Sequence, residues 1–530
     1  MALDTLISIL TFTLVALFVL TPLVLLGFVY VRNKFQSGHS ILRQHPILGV
    51  MRYVIEKLGP EFRFYITDSD NEGTPFSRMH FTSIVFAAKY CKTVIGFGSK
   101  RDFREPGFYL NNALFPRQMD EMAIDNRKTF TTHKYEVVSE GIFTRKQRQT
   151  TVDLRPWMLS DEDAIIFGPN RKNPYISKTW FGCSAMSYGS LGAHAIEAIN
   201  RGIAMTGSGW HNTGEGGISP FHLKGADVIA QLGSGKFGFR TPDGAISWDL
   251  VAEKAAIPQV KMFEIKLHQG AKIKGGHLEG VKVTPEIAAI RGVQPWKTIS
   301  SPNRFSDFNS VDELLDFVSR FQEVSGKPVG VKVVMGSDLS LDELCSRMKA
   351  RGEGPDFITA DGGEGGSGAT YQEMADSMGL PVFSGLVLAD NALQEAGIRD
   401  RVKLIASGKL HSADQICIAL GLGADAVNIA RGFMIAVGCI MTEKCHTGTC
   451  PVGVATNDPK YMSALVVEEK QYRVANYITT IRAACFSLAA ACGVTSPVHL
   501  TRQHVVYKYG DYRVASASTL FRSNISLKHV

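Results

Sequence analysis

The chain has 530 residues, 45% of them hydrophobic and 20% charged, which is ordinary globular material and enough for two or three domains. The formal charge of +7 is mild, and no dense Lys/Arg run interleaved with aromatics occurs, so a nucleic-acid-binding role is excluded. Nine cysteines without a paired framework exclude a disulfide scaffold and fit a reducing compartment.

The first element is apolar. No charged residue occurs from Leu6 to Val31. As a helix that run is about 39 Å long, enough to cross a hydrocarbon core of about 30 Å. Pro22 inside it is tolerable in a membrane helix. A cleaved signal peptide fits poorly: the run is too long, no basic stretch precedes it, and no A-x-A site follows. Arg32, Lys34, Arg43 and Arg52 follow the run and only Asp4 precedes it. The positive-inside rule predicts a single-pass inner-membrane protein with the remaining chain in the cytoplasm. Residues 1–33 are therefore read as an anchor.

Residues 34–175 read as a connector and an α+β cap. HPILGVMRYVIEKLGPEFRFYI has the spacing of an amphipathic helix, expected to end at Gly59-Pro60, and KTVIGFG is a short strand candidate. From 176 to 460 the pattern changes. Apolar runs at 179–187, 203–210, 226–232, 262–270, 329–335, 355–363, 401–408 and 424–432 end in Gly-rich or polar loops. Helical segments at 190–201, 311–325, 340–351, 384–397 and 411–421 separate most of them. This alternation predicts an α/β fold of the closed parallel (β/α)8 barrel type. A doubly wound open sheet would need a Gly-rich first turn and a ribose-binding acid, which are not found in the right place. A long amphipathic helix at 465–493 opens a C-terminal helical extension, 461–530.

In such barrels function sits at the C-terminal ends of the strands. There lie AMSYGS, NTGEGG, GSGKFG, HQGAK, DGGEGGSG, SGK and ARG. Gly408 and Arg431-Gly432, after the seventh and eighth strands, fit a phosphate site. GSGKFG matches G-x-G-x-x-G only formally, because the dinucleotide-fold context is missing. Lys332 alternates with valines in VGVKVVM, and a lysine there must meet an anion or an electron-rich ligand. Two readings stand: the electron-rich edge of a reduced flavin, or an ion pair with Glu264 or Asp361.

Cys439-x5-Cys445-x4-Cys450, followed by Pro451, places three thiols in one Gly- and Thr-rich loop. Soft thiolates select iron–sulfur clusters, zinc or copper(I). Three cysteines fit a three-iron cluster, or a four-iron cluster with one open iron. Structural zinc with His446 is the alternative, set back by the adjacency of Cys445 and His446 and by the lack of paired CxxC spacing.

SAMSYGS, HNTGEGG, SGKFG, EIKLHQGAK, VKVV, DGGEGGSGA and CIMTEKCHTGTCPVGVAT, in this order across about residues 176–460, resemble the synthase part of glutamate synthases. The N-terminal part resembles short, membrane-anchored bacterial members of that family. The resemblance implies an FMN-binding barrel with a [3Fe-4S] cluster. Such a barrel reduces 2-iminoglutarate, formed from 2-oxoglutarate and ammonia, to L-glutamate with electrons from an external donor such as ferredoxin. Cys439, Cys445 and Cys450 match the cluster ligands. Ala185, Met186 and Ser187 match the segment under the flavin. Thr213, Gln231 and Lys332 match flavin-contacting positions. Asp361 and Gly362 fall in the matching DGGEGGSGA loop, and Gly408 with Arg431 would lie near the phosphate. Gln269, Lys272 and Lys282 match polar positions around the 2-oxo acid, where cations suit a dicarboxylate. Lys332, Gln269 and Lys272 are the expected catalytic set. The chain departs from the large enzymes in opening Met-Ala-Leu-Asp where their glutaminase has cysteine, so no built-in ammonia source is expected. The loop after SAMSYGS also looks shorter. A step joining a small amine to glutamate, of the N-methylglutamate synthase type, and a non-catalytic electron-transfer subunit are the alternatives.

Overall fold

The computed structural model describes residues 2–270, 272–273, 275–337, 339 and 341–521. The chain divides into two compact units, Met1–His80 and Phe81–Val530.

Among the described residues, the first unit contains α1 (Ala2–Phe35), α2 (Ser40–Gln44) and α3 (Leu48–Phe62). α1 is long and apolar enough to cross a membrane, and none of its apolar window is buried. The predicted stop at Gly59-Pro60 is overrun: α3 continues to Phe62 and passes into a π-turn, Arg63–Thr67. Proline holds φ in the helical range and removes only its own N–H bond. Here the Arg63 N–H reaches back to the carbonyls of Gly59 and Pro60 and closes the turn.

Helix α4 (Arg78–Tyr90) runs across the division into the second unit. The strand expected at KTVIGFG is not formed; the segment is irregular, with Ile95 and Phe97 exposed. An antiparallel hairpin, Phe130–Glu140 with Arg145–Leu154, follows instead.

The barrel strands are β1 (Phe181–Cys183), β2 (Trp210–Asn212), β3 (Asp227–Leu232), β4 (Val260–Lys266), β5 (Val329–Val334), β6 (Phe357–Asp361), β7 (Lys403–Ser407) and β8 (Ala426–Ile429). Each pairs in parallel with the next, and β8 closes on β1. Six of the eight runs read from the sequence contain their strand whole, and the fourth, 262–270, starts two residues inside Val260–Lys266. The second does not contain its strand: Ile203 and Ala204 belong to helix α5 (Ala193–Met205), and the strand begins only at Trp210. Ile196, Ile199 and Ile203 form one buried helical face, so the 3.6-residue period wins over the local β-branched content. Gly207 and Gly209, at φ +75° and +129°, then turn the chain into β2.

Between the later strands lie α6 (Trp248–Ala255), α7 (Pro285–Arg291), α8 (Val311–Ser325), α9 (Asp342–Arg351), α10 (Gln372–Ser377), α11 (Val382–Glu395), α12 (Ala413–Gly421) and α13 (Arg431–Ala436). α8 shows the local logic. The Ser310 hydroxyl caps it by accepting from the Glu313 N–H at 3.2 Å, and Leu314, Leu315, Val318 and Phe321 are buried. Gly326, at φ +65°, ends it. The N-terminal mouth of the barrel is plugged by aromatics: Phe167 lies 6.1 Å from Trp210 and 5.8 Å from Phe357 between ring centroids. Gly330 in β5 is required there, because a Cβ on it would stand 2.3 Å from the Phe357 ring.

After the short α14 (Pro459–Met462) comes the long helix α15 (Val467–Ala491), capped by the Cys492 N–H, with Gly493 at φ +84°. Two-thirds of its apolar window is buried, so α15 is a core helix of the second unit. It meets α5 so closely that a Cβ on Gly202 would lie 2.5 Å from Val474. Arg482 on α15 is fully buried. It donates to the carbonyls of Pro156 (2.9 Å), Thr206 (3.3 Å) and Ser208 (2.6 Å) and to the Thr179 hydroxyl (3.2 Å).

Candidate functional site

The inner lining of the barrel is charged toward the C-terminal ends of its strands. Glu264 on β4 is buried with both oxygens occupied. It accepts from Asn212 Nδ2 (2.8 Å), Gln231 Nε2 (2.5 Å) and Thr359 Oγ1 (2.6 Å). This leaves Gln231 Oε1 buried and without a hydrogen-bond partner among the described residues. Lys332 on β5 meets Asp361 on the adjacent β6, Nζ to Oδ2 3.2 Å, each side chain 5% exposed. Asp361 also accepts the Gly270 N–H at 2.8 Å, which ties the loop after β4 onto β6. Burial pushes the Lys332 ammonium toward neutrality, but Asp361 and then Glu264 outweigh it and hold its pKa above the usual lysine value.

Beside this pair lies a second cluster. Glu215, in the NTGEGG loop, accepts from Lys266 Nζ at 2.8 Å and Lys272 Nζ at 3.3 Å. Lys266 also donates to Gln269 Oε1 at 2.9 Å, and Gln269 Nε2 reaches the Gly366 carbonyl at 3.3 Å. Burial opposes ionisation of Glu215, yet the two lysines drive its pKa down to about 2. Arg291 is buried nearby, donates to the Tyr188 carbonyl at 3.0 Å, and has no partner for Nε among the described residues. Burial lowers its pKa to about 10 against the pull of Glu215. Gln269 and Lys272 are thus brought together around Glu215. Lys282 is aimed elsewhere, its Nζ donating to the main-chain carbonyls of Cys445 (3.1 Å) and Ser190 (3.3 Å).

Ala185–Ser187 follows β1 and is braced from two sides. The Met186 N–H donates to the Asn212 carbonyl at 3.0 Å, and the Met186 carbonyl accepts from His222 Nε2 at 3.0 Å. Ser219 Oγ and its N–H, at 2.8 and 3.2 Å, occupy His222 Nδ1. Thr213 is buried and accepts the Gln231 N–H at 3.1 Å. Gly214 is at φ +64°, where a Cβ would stand 2.8 Å from the Ser187 nitrogen. His211, 5.1 Å from His222 between ring centroids, is fully buried with neither ring nitrogen bonded among the described residues. Burial drives its pKa far below the usual value, so it is neutral.

The loops after β6, β7 and β8 meet at Gly362, Gly408 and Arg431. The Gly362 N–H donates to the Ser407 carbonyl at 2.6 Å, and the Arg431 guanidinium reaches the Glu364 carbonyl. Gly408 is at φ +150°, and a Cβ there would stand 2.9 Å from Val382 and 3.1 Å from Glu364 Oε2. The Glu364 carboxylate accepts the Val382 N–H at the start of α11, at 2.9 and 3.0 Å. A carboxylate is therefore seated between a helix N-terminus and the glycine loop, where an anion is favoured. Burial raises its pKa. Glu215, Lys266, Arg291, His222 and Glu364 were not singled out from the sequence. Glu215 and Glu364 lie within glycine-rich loops and His222 a few residues beyond one, whereas Lys266 ends β4 and Arg291 ends α7, with no local signal of a site role.

Cys439, Cys445 and Cys450 are free thiols on the loop that leaves α13. Burial raises the pKa of Cys439 to about 11 and also raises that of Cys445, and each feels the Cys450 thiol. Lys282 and Arg431 are the cations within electrostatic reach. The donor type fits a thiophilic metal. The arrangement does not: among the described residues no three His, Cys, Asp or Glu side chains stand as a metal-binding group.

A closed parallel barrel with buried ionisable groups collected at its strand ends defines the class, a (β/α)8 enzyme scaffold. A family model described as "Conserved region in glutamate synthase" matches residues 116–495. The glutamate synthase large subunit-like protein YerD of Bacillus subtilis (strain 168) is 46% identical over 507 residues, 95% of this chain and 97% of that protein. The chain therefore belongs to the glutamate synthase family. The archaeal-type glutamate synthase (NADPH) of Thermotoga neapolitana is 33% identical over 300 residues, covering 56% of this chain and 55% of its own length. A mutant flavocytochrome b2 with pyruvate bound shares 13% identity at a TM-score of 0.42, over 89% of this chain and 91% of that one, too distant to inform function.

Proposed function

We propose that the chain is an FMN-dependent oxidoreductase that reductively aminates 2-oxoglutarate, through 2-iminoglutarate, to L-glutamate. The observation that carries the reading is the adjacency of two polar sets, one buried and one partly buried, at the strand ends of a glutamate synthase-family barrel. One set is Lys332, Asp361 and Gln231; the other is Lys266, Gln269, Lys272 and Glu215. Gln231 Oε1 is a buried acceptor without a hydrogen-bond partner among the described residues, and an imide N–H of an isoalloxazine ring would satisfy it. Lys332 would supply a cation to the electron-rich edge of that ring, and Gly408 with Arg431 would hold the phosphate. FMN, when bound, supplies hydride. The residues of the chain do the rest. Lys266 and Lys272, both ion-paired with Glu215, would pair with the carboxylates of a dicarboxylic 2-oxo acid. Gln269 orients it, and the closed barrel wall excludes water.

The thiol type, order and following proline in the 439–450 loop support a [3Fe-4S] cluster. We assign residues 1–33 as a single-pass inner-membrane anchor, 34–175 as connector and cap, 176–460 as the cytoplasmic FMN barrel and 461–530 as its helical extension. Electrons come from an external donor such as ferredoxin, and free ammonia or a small amine is the nitrogen source. The test is single-turnover reoxidation of dithionite-reduced protein. Reoxidation by 2-oxoglutarate with ammonia, and not by pyruvate with ammonia, is expected. Equal rates with both oxo acids would refute the dicarboxylate site. A reaction only with methylamine would move the assignment to N-methylglutamate formation. Iron and acid-labile sulfide should be present in the wild type and lost in Cys445→Ser; zinc without iron would overturn the cluster.

A further inference from the structure

The amphipathic α3 keeps a bare apolar stripe. Leu48, Met51, Ile55, Leu58, Phe62 and Tyr65 recur at alternating three- and four-residue steps and so share one face along α3 and its π-turn. All six are exposed, Leu48 by 75%. Ile47, Val54 and Ile66 widen the stripe, Ile66 at 69% exposure. The opposite face carries Glu56 and Lys57, with Arg52 ion-paired to Glu56 at 3.9 Å. A water-soluble helix turns such a stripe into a core; here nothing among the described residues of the first unit covers it.

The position of α3 along the chain identifies what does. Asn33, at the polar end of α1, is buried, and its Nδ2 donates to the Pro46 carbonyl at 2.7 Å, two residues before α3 begins. The turn between them is closed by Gln36, which donates to the carbonyls of Asn33 and His39 and accepts the His39 N–H at 2.7 Å. α3 is then packed onto α2: Gly49 is buried, and a Cβ there would stand 3.1 Å from the Ile41 carbonyl and 3.2 Å from Leu42. The start of α3 is thereby pinned to the end of α1, where Arg32 and Lys34 follow the last apolar residues. If α1 spans a bilayer, that end lies at the headgroups, and so does α3.

We propose that α3 is an interfacial helix whose apolar stripe is buried in the headgroup–acyl boundary of the membrane that α1 spans, with Arg52 and Lys57 on the water side. The inference rests on the spanning reading of α1. A second copy of α3 is the weaker occupant. The stripe covers fewer than the three to four heptads a coiled coil needs, and Pro60 interrupts its backbone bonding. Basic groups at Arg32, Lys34, Arg43, Arg52 and Lys57 complement an anionic lipid surface.

The test uses the full chain reconstituted in vesicles of phosphatidylcholine and phosphatidylglycerol, with and without phosphatidylcholine brominated on its upper acyl carbons. Leu58→Trp and Met51→Trp report on the stripe, and Lys57→Trp on the polar face. The parent signal from the 5 native tryptophans is subtracted. Added emission from both stripe positions should be quenched at least twofold more than that from Lys57→Trp. Equal quenching at all three positions overturns the proposal. So does unquenched, blue-shifted stripe emission accompanied by α3–α3 cross-links, which assigns the stripe to a second copy. Vesicle flotation separates the two levels. Protein that floats without stripe quenching keeps the anchor and loses this inference; protein that does not float loses both.

Discussion

Glu215→Gln tests whether one carboxylate is the shared counter-ion of Lys266 and Lys272 at the strand ends. The folded protein depresses the Glu215 pKa from 4.5 to about 2, because Lys266 and Lys272 outweigh the cost of burial. At about 1.4 kcal/mol per pKa unit, that is about 3 kcal/mol of native-state stability. The sign follows from the direction of the shift. A depressed carboxylate pKa stabilises fully above the unfolded value and loses that contribution as pH falls from about 4.5 through about 2. Glu215→Gln should therefore cost roughly 3 kcal/mol at pH 7, and the wild type and variant should converge toward pH 2. For the unit Phe81–Val530, an unfolding entropy of about 2 cal/mol/K per residue makes roughly 1 kcal/mol correspond to 1 °C, so the expected loss at pH 7 is about 3 °C in melting temperature. Differential scanning calorimetry at pH 7, 5, 4 and 3 measures it. A pH-independent difference, or none at pH 7, would mean that Glu215 is not the counter-ion of Lys266 and Lys272.

Three further predictions address the site and its frame. Lys332→Met should lower the flavin reduction potential or weaken FMN binding. It should also cost about 3–5 kcal/mol at neutral pH by leaving Asp361 buried without its cation. The Lys332 pKa is raised, so its stabilisation holds at every pH below the usual lysine value and is lost only above it. If Lys332→Met/Asp361→Asn restores both stability and flavin properties, Lys332 is an ion-pair partner and not a flavin contact. Glu364→Gln removes a negative charge from the proposed phosphate cradle and should tighten FMN binding about tenfold, ~1.4 kcal/mol, in a fluorescence titration of apoprotein; unchanged or weaker binding would place the phosphate elsewhere. Arg482→Leu leaves four acceptors around α15 unsatisfied and should cost about 3–5 kcal/mol, read as loss of soluble folded protein or a collapsed melting temperature, while near-wild-type stability would mean that water replaces the guanidinium.

Periodicity, glycine placement and uninterrupted apolar runs are local properties, and these the chain itself determined. The apolar run Leu6–Val31 lies within one helix. The alternation of short apolar runs with glycine-rich loops set eight parallel strands and placed the polar loops at one end. The exception, residues 203–210, is where β-branched content and helical period disagreed, and the buried face of α5 decided. What a charged side chain pairs with is not local. It depends on strand register and on where long loops return, and so only the tertiary structure decided it. Lys332 could have met Glu264 or Asp361; alignment of β5 with β6 brings it to Asp361, while Asn212, Gln231 and Thr359 occupy Glu264. Lys272 and Lys282 share one loop region in the sequence, yet Lys272 turns to Glu215 and Lys282 to the Cys445 carbonyl. Glu364 looked like one polar letter among glycines until the start of α11 folded back to supply its N–H donor. The amphipathic period of α3 was legible from its residues. That its apolar stripe stays uncovered, pinned by Asn33 to the end of α1, follows only from how three helices pack.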